Sequence, residues 1–424
     1  MSERLYQINP SLRVQEFDDA ALTTRWLYEL DDGRGREQRL LVSAPMHHLL
    51  TAYARPRTLA WTESELQAEG WRESDGPALQ ALIHERCLPC RLLIPCGGEA
   101  SVRRNAPEQP LRPAYMSLML PVLGAASVNR VARHLQHLFA PVLMIPGAVA
   151  VLVALVALMQ ALSSEGRFAA ASSADVLRAL ALGIVGVVVH ELGHAAAAWR
   201  SGARGVSIGI GWYVCFPVAY ADLSETWRMS RRERALIDIA GVYLQGLWIA
   251  GLMFWHSVSG HAALLVAALA GAISILWNMN PFLRMDGYWL ASDLLGIANL
   301  REAARSSLAA SWNRLRRRPV MAGRIRFGPR TTTALLGYGV LSTAFFAWMV
   351  VAAVDHFGEA ALEALPRLAQ DLRTSAWSRI GIADFWVLIG SFLWQVFMVV
   401  VLGRFLQVTA KRWWRRWSRG EPSA

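Results

Sequence analysis

The sequence contains almost no lysine, few cysteines and no apolar leader. Lys411 is the single lysine among 43 basic residues, so arginine supplies nearly all of the positive charge. Four cysteines are too few for a disulfide framework in 424 residues; they are Cys87, Cys90, Cys96 and Cys215. The first residues, MSERLYQINPSLRVQEFDD, lack the apolar core of a secretory signal. We therefore expect roughly the first 110 residues to stay in the cytoplasm.

The net charge of +11 raises the question of a nucleic-acid partner, because clustered basic residues attract phosphates. No DNA- or RNA-binding motif accompanies the charge, and the arginines flank apolar segments instead. Hydrophobic residues make up 54% of the chain, which also contains 18 Trp. The composition therefore argues against nucleic acid and favours the lipid bilayer as a partner.

Long apolar segments recur after about residue 138, and each has roughly 18–25 residues, enough to cross a ~30 Å hydrocarbon core. The segments lie near 140–162, 176–199, 235–256, 261–278, 333–354 and 383–407. They predict an α-helical polytopic membrane protein with about six transmembrane helices.

The arginines of the connections alternate between many and few along the chain. The turn after the third segment has none, whereas ten lie between Arg284 and Arg330. Basic residues collect on the cytoplasmic side of membrane proteins. The alternation therefore predicts a multi-pass protein with both termini cytoplasmic, which we expect in a bacterial inner membrane. The tail KRWWRRWSRG is expected to bind anionic lipid.

Residues 1–105 read as a small α+β domain with a winged-helix-like order. TRWLYELDDGRGREQRLLVS predicts a β-hairpin, and three short helices and a closing strand follow; they are PMHHLLTAYA, TESELQAEG, DGPALQALIHERCL and RLLIPC. This order resembles the small peptide-binding domain of pyrroloquinoline quinone biosynthesis, which captures leader peptides by adding them as a strand. The resemblance implies a leader peptide as the partner of residues 1–105. A generic cytoplasmic cap domain is the alternative.

The predicted domains follow from these segments. They are a linker and juxtamembrane segment at 106–138, a membrane core of four spans at 139–300, a basic cytoplasmic loop at 301–332, two further spans at 333–407 and a basic tail at 408–424.

The second apolar segment, GIVGVVVHELGHAAAAWR, carries three polar residues that are costly in lipid. His190 and His194 are four residues apart, so a helix places them on one face, where both can bind one zinc ion. Glu191 completes the H-E-x-x-H pattern and is placed to take a proton from water. The alternative is a pair of buried structural histidines, or a degenerate protease that binds no metal.

A catalytic zinc usually has a third protein ligand. HELGHAAAAWR lacks the third histidine of a metzincin. A downstream glutamate could be the third ligand instead, but the candidates Glu225 and Glu233 lie in an arginine-rich loop. The stretch WNMNPFLRMDGYWLASDLL, residues 277–295, is the better source because Asp286 is expected at the same depth and side as His190. Asp222 is the main rival ligand, and Asp293 is expected to support or cap the site.

Pro281 breaks the helix before Asp286, and such irregular backbone at membrane depth should line protein or a water-filled cavity. Asn278 and Asn280 lie in this break. We expect one of them to hydrogen-bond a substrate backbone or the oxyanion.

HELGH on a membrane helix followed by NPFLRMDGYWLASDLLG resembles the site-2 protease family of intramembrane zinc metalloproteases, most of all its peptide zinc metalloprotease branch. The resemblance covers about residues 175–300. It implies one Zn²⁺ per chain held by His190, His194 and Asp286, with Glu191 as the catalytic base. It also implies that a β-hairpin within residues 206–234 presents an edge to an unwound substrate.

The expected function is therefore zinc-dependent intramembrane cleavage of a membrane-associated protein or peptide near the cytoplasmic face, in peptide maturation or export. A regulatory protease that releases a membrane-tethered factor is an enzymatic alternative. A catalytically inert scaffold or export accessory with a protease-like fold is the non-enzymatic one. His134 and His137 are expected at the membrane interface, and His256 and His261 flank a turn on the far side, away from the proposed site. Cys87, Cys90 and Cys96 are expected to be free cysteines, with a redox or zinc role as the alternative.

Overall fold

The structure is a computed structural model. It describes residues 5–31, 37–58, 60–62, 64, 82–96, 116–163, 172–213, 216–317 and 327–373. The chain divides into two compact units, one of residues 1–112 with 321–331 and the other of residues 113–320 with 332–424.

The first unit contains two small antiparallel sheets and the helix α1 among its described residues. Its elements are β1 (Tyr6–Ile8), β2 (Leu12–Phe17), β3 (Arg25–Asp31), β4 (Glu37–Ser43), α1 (Ala44–Ala52) and β5 (Leu93–Pro95). β1 pairs with β5, and β3 lies between β2 and β4. The predicted hairpin is confirmed as β3 and β4, the first predicted helix as α1, and the closing strand as β5.

Two features of this unit differ from the sequence analysis. β1 and β2 were not predicted, because a polar N-terminal segment gives no period-2 apolar signal, although Tyr6 and Phe17 are buried. The predicted helix over 75–88 is described only from Leu82, and Ile83–Cys87 form a π-helical turn. Most of the predicted helix over 62–70 lies outside the described residues.

The second unit is built from long apolar helices. Its described helices are α2 (Ala125–Leu135), α3 (Pro141–Ser163), α4 (Ser173–Arg200), α5 (Arg231–Ser259), α6 (Ala262–Asn278), α7 (Asp286–Leu295), α8 (Leu300–Leu315) and α9 (Pro329–Arg373). Capping boxes open α4 and α5, and a glycine with positive φ ends both α5 and α7. The boundaries of these helices therefore follow from local sequence.

Four of the described helices are long and apolar enough to cross a membrane. They are Pro141–Ser163, Ala174–Arg200, Arg231–Ser259 and Pro329–Ala352. α6 matches the fourth predicted span but has 17 residues, or about 25 Å, less than a ~30 Å core. The predicted span at 383–407 lies outside the described residues. The described residues therefore contain four candidate spans, and the count of about six stays a prediction.

A three-stranded antiparallel sheet accompanies these helices. It consists of β6 (Met116–Leu123), β7 (Ile208–Tyr213) and β8 (Phe216–Ala221), with β7 in the centre. The hairpin of β7 and β8 was expected, whereas β6 lies in the segment predicted as a linker. Within the predicted basic loop at 301–332, residues 300–315 form helix α8.

Close packing of α4 against α5 brings the His-containing helix to its neighbour. A Cβ at Gly193 would lie 2.5 Å from the carbonyl oxygen of Ala240, so only glycine allows this approach. The four alanines 195–198 that follow His194 are all buried. Small side chains therefore surround the polar part of α4 and let neighbouring backbones come near.

Candidate metal centre

His190, His194 and Asp286 converge on one point. The Nε2 atom of His190 lies 2.8 Å from Oδ2 of Asp286 and 3.1 Å from Nε2 of His194. Nε2 of His194 lies 3.5 Å from Oδ1 of Asp286. Zinc bonds of ~2.0–2.1 Å at the tetrahedral angle separate donor atoms by about 3.3 Å. The three donors therefore already have the spacing of a shared metal ion.

Two elements supply the donors. α4 places His190 and His194 on one face because they are four residues apart. Asp286 is the first residue of α7, after the chain has left α6 and passed the break at Pro281. Tyr338 donates to the carbonyl of Pro281 at 3.0 Å, which holds the irregular backbone in place. A Cβ at Gly287 would meet the backbone of Met279, so glycine allows the chain to fold back here.

The Nδ1 atoms of both imidazoles, on the side of each ring away from the shared point, face hydrogen-bond acceptors. Nδ1 of His194 donates to the carbonyl oxygen of Ile237 at 2.7 Å, and Nδ1 of His190 donates to Oε1 of Gln245 at 2.9 Å. With the protons on Nδ1, both Nε2 atoms turn lone pairs towards each other and towards a carboxylate. Three electron-rich groups this close are repulsive without a cation, so the donor set fits a metal ion.

Space for an ion is left by Gly241 of α5. A Cβ there would lie 2.7 Å from Nε2 of His190 and would also collide with Nε2 of His194. Any side chain at this position would therefore obstruct the space that both nitrogens face. The two histidines are 4% and 3% exposed, so such an ion would be buried in protein.

Glu191 is buried next to the donors at 8% exposure. The backbone of Ala221, the last residue of β8, lies beside the carboxylate of Glu191. A carboxylate in this position can accept a proton from a water molecule beside the three donors. The end of strand β8 therefore lies at the candidate catalytic base.

α5 is also joined to α7 by an ion pair between buried Arg234 and partly buried Asp293. Arg234 donates to Asp293 at 2.7 Å and to the carbonyl of Met229 at 2.7 Å. The carboxyl group of Asp238 also lies beside Asp293. Asp293 lies two helical turns after Asp286, so both face α5. The expected supporting role of Asp293 thus takes a specific form: it anchors the helix that begins with the third donor.

The remaining candidates lie elsewhere. Oδ1 of Asn280 accepts from the amide of Phe282 at 2.9 Å, which makes it a turn residue, and Asn278 is the last residue of α6. Asp222 is exposed and accepts from the amide of Ser224. Glu225 accepts from the amide of Arg204, and Glu233 caps α5. These contacts account for the carboxylates as local structure, outside the donor group.

In the described part of the chain, no group with metal-ligand spacing includes the cysteines of the first unit. His190, His194 and Asp286 form the group with suitable spacing there. Cys87, Cys90 and Cys96 are free thiols. Burial raises the pKa of the Cys87 thiol to about 12, with Cys90 adding to the shift. Because a metal binds the thiolate, this environment disfavours Cys87 as a ligand.

The sequence analysis missed the contribution of α5. Arg234, Asp238, Gly241 and Gln245 follow one another at intervals of four, three and four, which places them on one helical face towards the site. The spacing of polar and small residues in an otherwise apolar helix was the available signal.

The described chain thus has four helices that are long and apolar enough to cross a membrane, and a His–His–Asp group whose spacing suits a metal ion. The chain is 32% identical over 125 residues to the "Putative peptide zinc metalloprotease protein YydH" of Bacillus subtilis strain 168. That match covers 29% of this chain and 48% of the relative, so the chain spans about half the length of the relative. No family model and no solved structure matches the chain.

Proposed function

We propose that the protein is a zinc-dependent endopeptidase of the site-2 protease type. It cleaves a membrane-associated protein or peptide near the cytoplasmic face. The observation that carries the proposal is the convergence of His190, His194 and Asp286 beside buried Glu191, within helices of a membrane protein. The name of the Bacillus subtilis relative supports zinc and proteolysis.

The chemistry follows from the groups present. His190, His194 and Asp286 would hold one zinc ion, which supplies Lewis acidity to polarise a carbonyl and to acidify water. Glu191 accepts the proton of the attacking water and passes it to the leaving amine. The buried surroundings strengthen these electrostatic interactions because the local dielectric is low.

The substrate must be extended at the cleaved bond, because a helix hides its amides in hydrogen bonds. β8 pairs with β7 alone within the described residues, and its last residue contacts Glu191. A substrate that adds as a strand to the other edge of β8 would pass the catalytic base in an extended form. Asn278, at the end of α6, is retained as a candidate for binding the substrate backbone or the oxyanion.

The first unit supports a second part of the proposal, which is capture of a leader peptide. Its sheet has β2 at an edge, paired with β3 alone in the described residues. An extended peptide can add to such an edge through main-chain hydrogen bonds. The enzyme would then mature a ribosomally made peptide, during export. Removal of residues 1–105 separates the alternatives: loss of cleavage for one peptide class supports capture, and unchanged cleavage supports the regulatory role.

The arginine pattern supports a bacterial inner-membrane protein with both termini in the cytoplasm. Cysteine accessibility in intact cells tests this arrangement. A unique cysteine introduced in the tail at Ser418 should be labelled only after the cytoplasm is opened to an impermeant reagent, and labelling of intact cells would reverse the orientation.

The replacement Glu191→Gln tests the mechanism. It keeps the shape of the side chain and the zinc donors, but an amide cannot take the proton. We expect cleavage to fall by at least about 10²–10⁴-fold with zinc content unchanged. Glu302→Gln, at an exposed position of α8, is the matched control. The inactive variant should also trap its substrate, which mass spectrometry then identifies.

An inert scaffold is the competing function, and metal content separates the two. Purified protein that holds less than about one-tenth zinc per chain, with no gain when zinc is added, would favour the scaffold. Cleavage by Glu191→Gln at the parental rate would refute the proposed role of the base.

A further inference from the structure

Gln245 is a polar residue in an unusual place. It lies within the candidate span Arg231–Ser259, between Leu244 and Gly246, and is 2% exposed. A buried amide is costly unless its hydrogen bonds are satisfied. Its Oε1 lies 2.9 Å from Nδ1 of His190. The hydrogen bond that offsets the cost of burying this amide is therefore made to one donor residue of the candidate metal centre.

The direction of this hydrogen bond decides whether His190 can bind a cation. With Oε1 towards the imidazole, Nδ1 carries the proton and Nε2 keeps its lone pair. With the amide reversed, its nitrogen would donate to Nδ1. The proton of His190 would then sit on Nε2, pointing at Asp286 and His194. Only the first arrangement leaves three donors free to converge.

His194 shows the same arrangement with a backbone acceptor. Its Nδ1 donates to the carbonyl of Ile237, which cannot reverse. α5 thus supplies both acceptors, Ile237 by its backbone and Gln245 by its side chain. Gly241 lies one turn before Gln245 and clears the space in front of both histidines. One helical face therefore orients the imidazoles and leaves the cavity between them.

We propose that Gln245 is a positioning residue that fixes His190 with its proton on Nδ1 and thereby sets the affinity of the centre for zinc. The inference rests on the proposed zinc-dependent function. Gln245 does not touch the reacting atoms; it acts through His190. Hydrogen-bond partners of metal-bound histidines typically change metal affinity 10–100-fold.

Two replacements separate hydrogen bonding from packing. Gln245→Met keeps the length and removes the acceptor, and Gln245→Glu keeps an acceptor for the Nδ1 proton. Met253→Leu is the control, because Met253 is buried on the same helix but packs in a different cluster, with Ile249 and Leu265. If Gln245→Met is not recovered folded, Gln245→Asn is used in its place. Its shorter side chain withdraws the carbonyl from His190 by about 1.5 Å, so the same result is expected.

Zinc affinity is measured on the full-length detergent-solubilised protein by competition with a chromophoric chelator. The visible spectrum of the Co²⁺-substituted protein reports the geometry of the donors. We expect Gln245→Met to bind zinc about 10–100-fold more weakly and to change the cobalt spectrum. Gln245→Glu should bind within a few-fold of the parent, and Met253→Leu should be unchanged.

Zinc binding by Gln245→Met as tight as the parent's would overturn the proposal. An equal loss in Gln245→Glu and Gln245→Met would also overturn it, because packing would then be the cause. A parent that binds zinc but cleaves nothing would refute the protease alone, and the affinities would still rank the variants. A parent that binds no zinc would refute both.

Discussion

The replacement Gly241→Ala tests whether the space between the two histidines holds a metal ion. An alanine Cβ at this position would lie 2.7 Å from Nε2 of His190 and would collide with Nε2 of His194. Real Cβ atoms essentially never approach closer than 3.0 Å, so something must move. The imidazoles are held by Gln245 and Ile237 through their other nitrogens.

The expected magnitude comes from two opposing effects. Alanine favours an interior helix position over glycine by about 0.5–1 kcal/mol. Moving an imidazole breaks at least one buried hydrogen bond and leaves its N–H unpaired, which costs about 1–3 kcal/mol. The two effects offset each other in part, so the variant should fold with a modestly lower melting temperature. Zinc affinity should fall by at least about 10–100-fold, because the donors can no longer converge.

Gly251→Ala provides the matched control. Gly251 lies ten residues further along the same helix, and a Cβ there has no atom within 4 Å. The control gains the same helix propensity without any collision. The assay compares zinc content after equilibration in a zinc buffer, measured by plasma mass spectrometry, with the melting temperature as a check of folding. Equal zinc in the two variants would refute a metal ion between the histidines.

Two further predictions concern stability and thiol reactivity. Arg234→Met should lower the stability of the protein by about 1.5–3 kcal/mol, because partly buried Asp293 loses its hydrogen bond to the arginine. Adding Asp293→Leu should restore much of the loss, and a double variant less stable than the single one would contradict this reasoning; thermal unfolding in detergent measures both. Cys87, with its pKa raised to about 12, should form about 1000-fold less thiolate near neutral pH than an ordinary cysteine. Maleimide labelling read by peptide mass spectrometry should therefore modify Cys90 before Cys87, and equal labelling would show that the burial is wrong.

Local patterns explain why part of the fold could be predicted. Apolar length and helix caps depend on residues close in sequence, so α4 and α5 were expected at nearly their observed bounds. The hairpin of β3 and β4 was expected for the same reason. By contrast, β6 was missed because it joins β7 from more than eighty residues away and has no turn signal of its own.

The candidate site likewise contains features that local spacing predicts and features that only the structure shows. The pairing of His190 with His194, and of both with Glu191, follows from helical spacing alone. Asp286 was expected at similar depth from topology, and the structure gives the distance of 2.8 Å to His190. Asn280 was expected near the substrate; its Oδ1 accepts a hydrogen bond within the turn, and the role of its amide nitrogen stays a prediction.

The sequence by itself determined the apolar spans, the H-E-x-x-H helix and the break at Pro281, because each depends on neighbours within a few residues. The tertiary structure decided which helix faces the histidines. The acceptors at Ile237 and Gln245 and the gap at Gly241 all come from α5, whose polar positions have meaning only once the helix is packed against α4. A metal centre needs a helix face that carries the ligands and a neighbouring helix face that orients them. Sequence spacing specifies only the first.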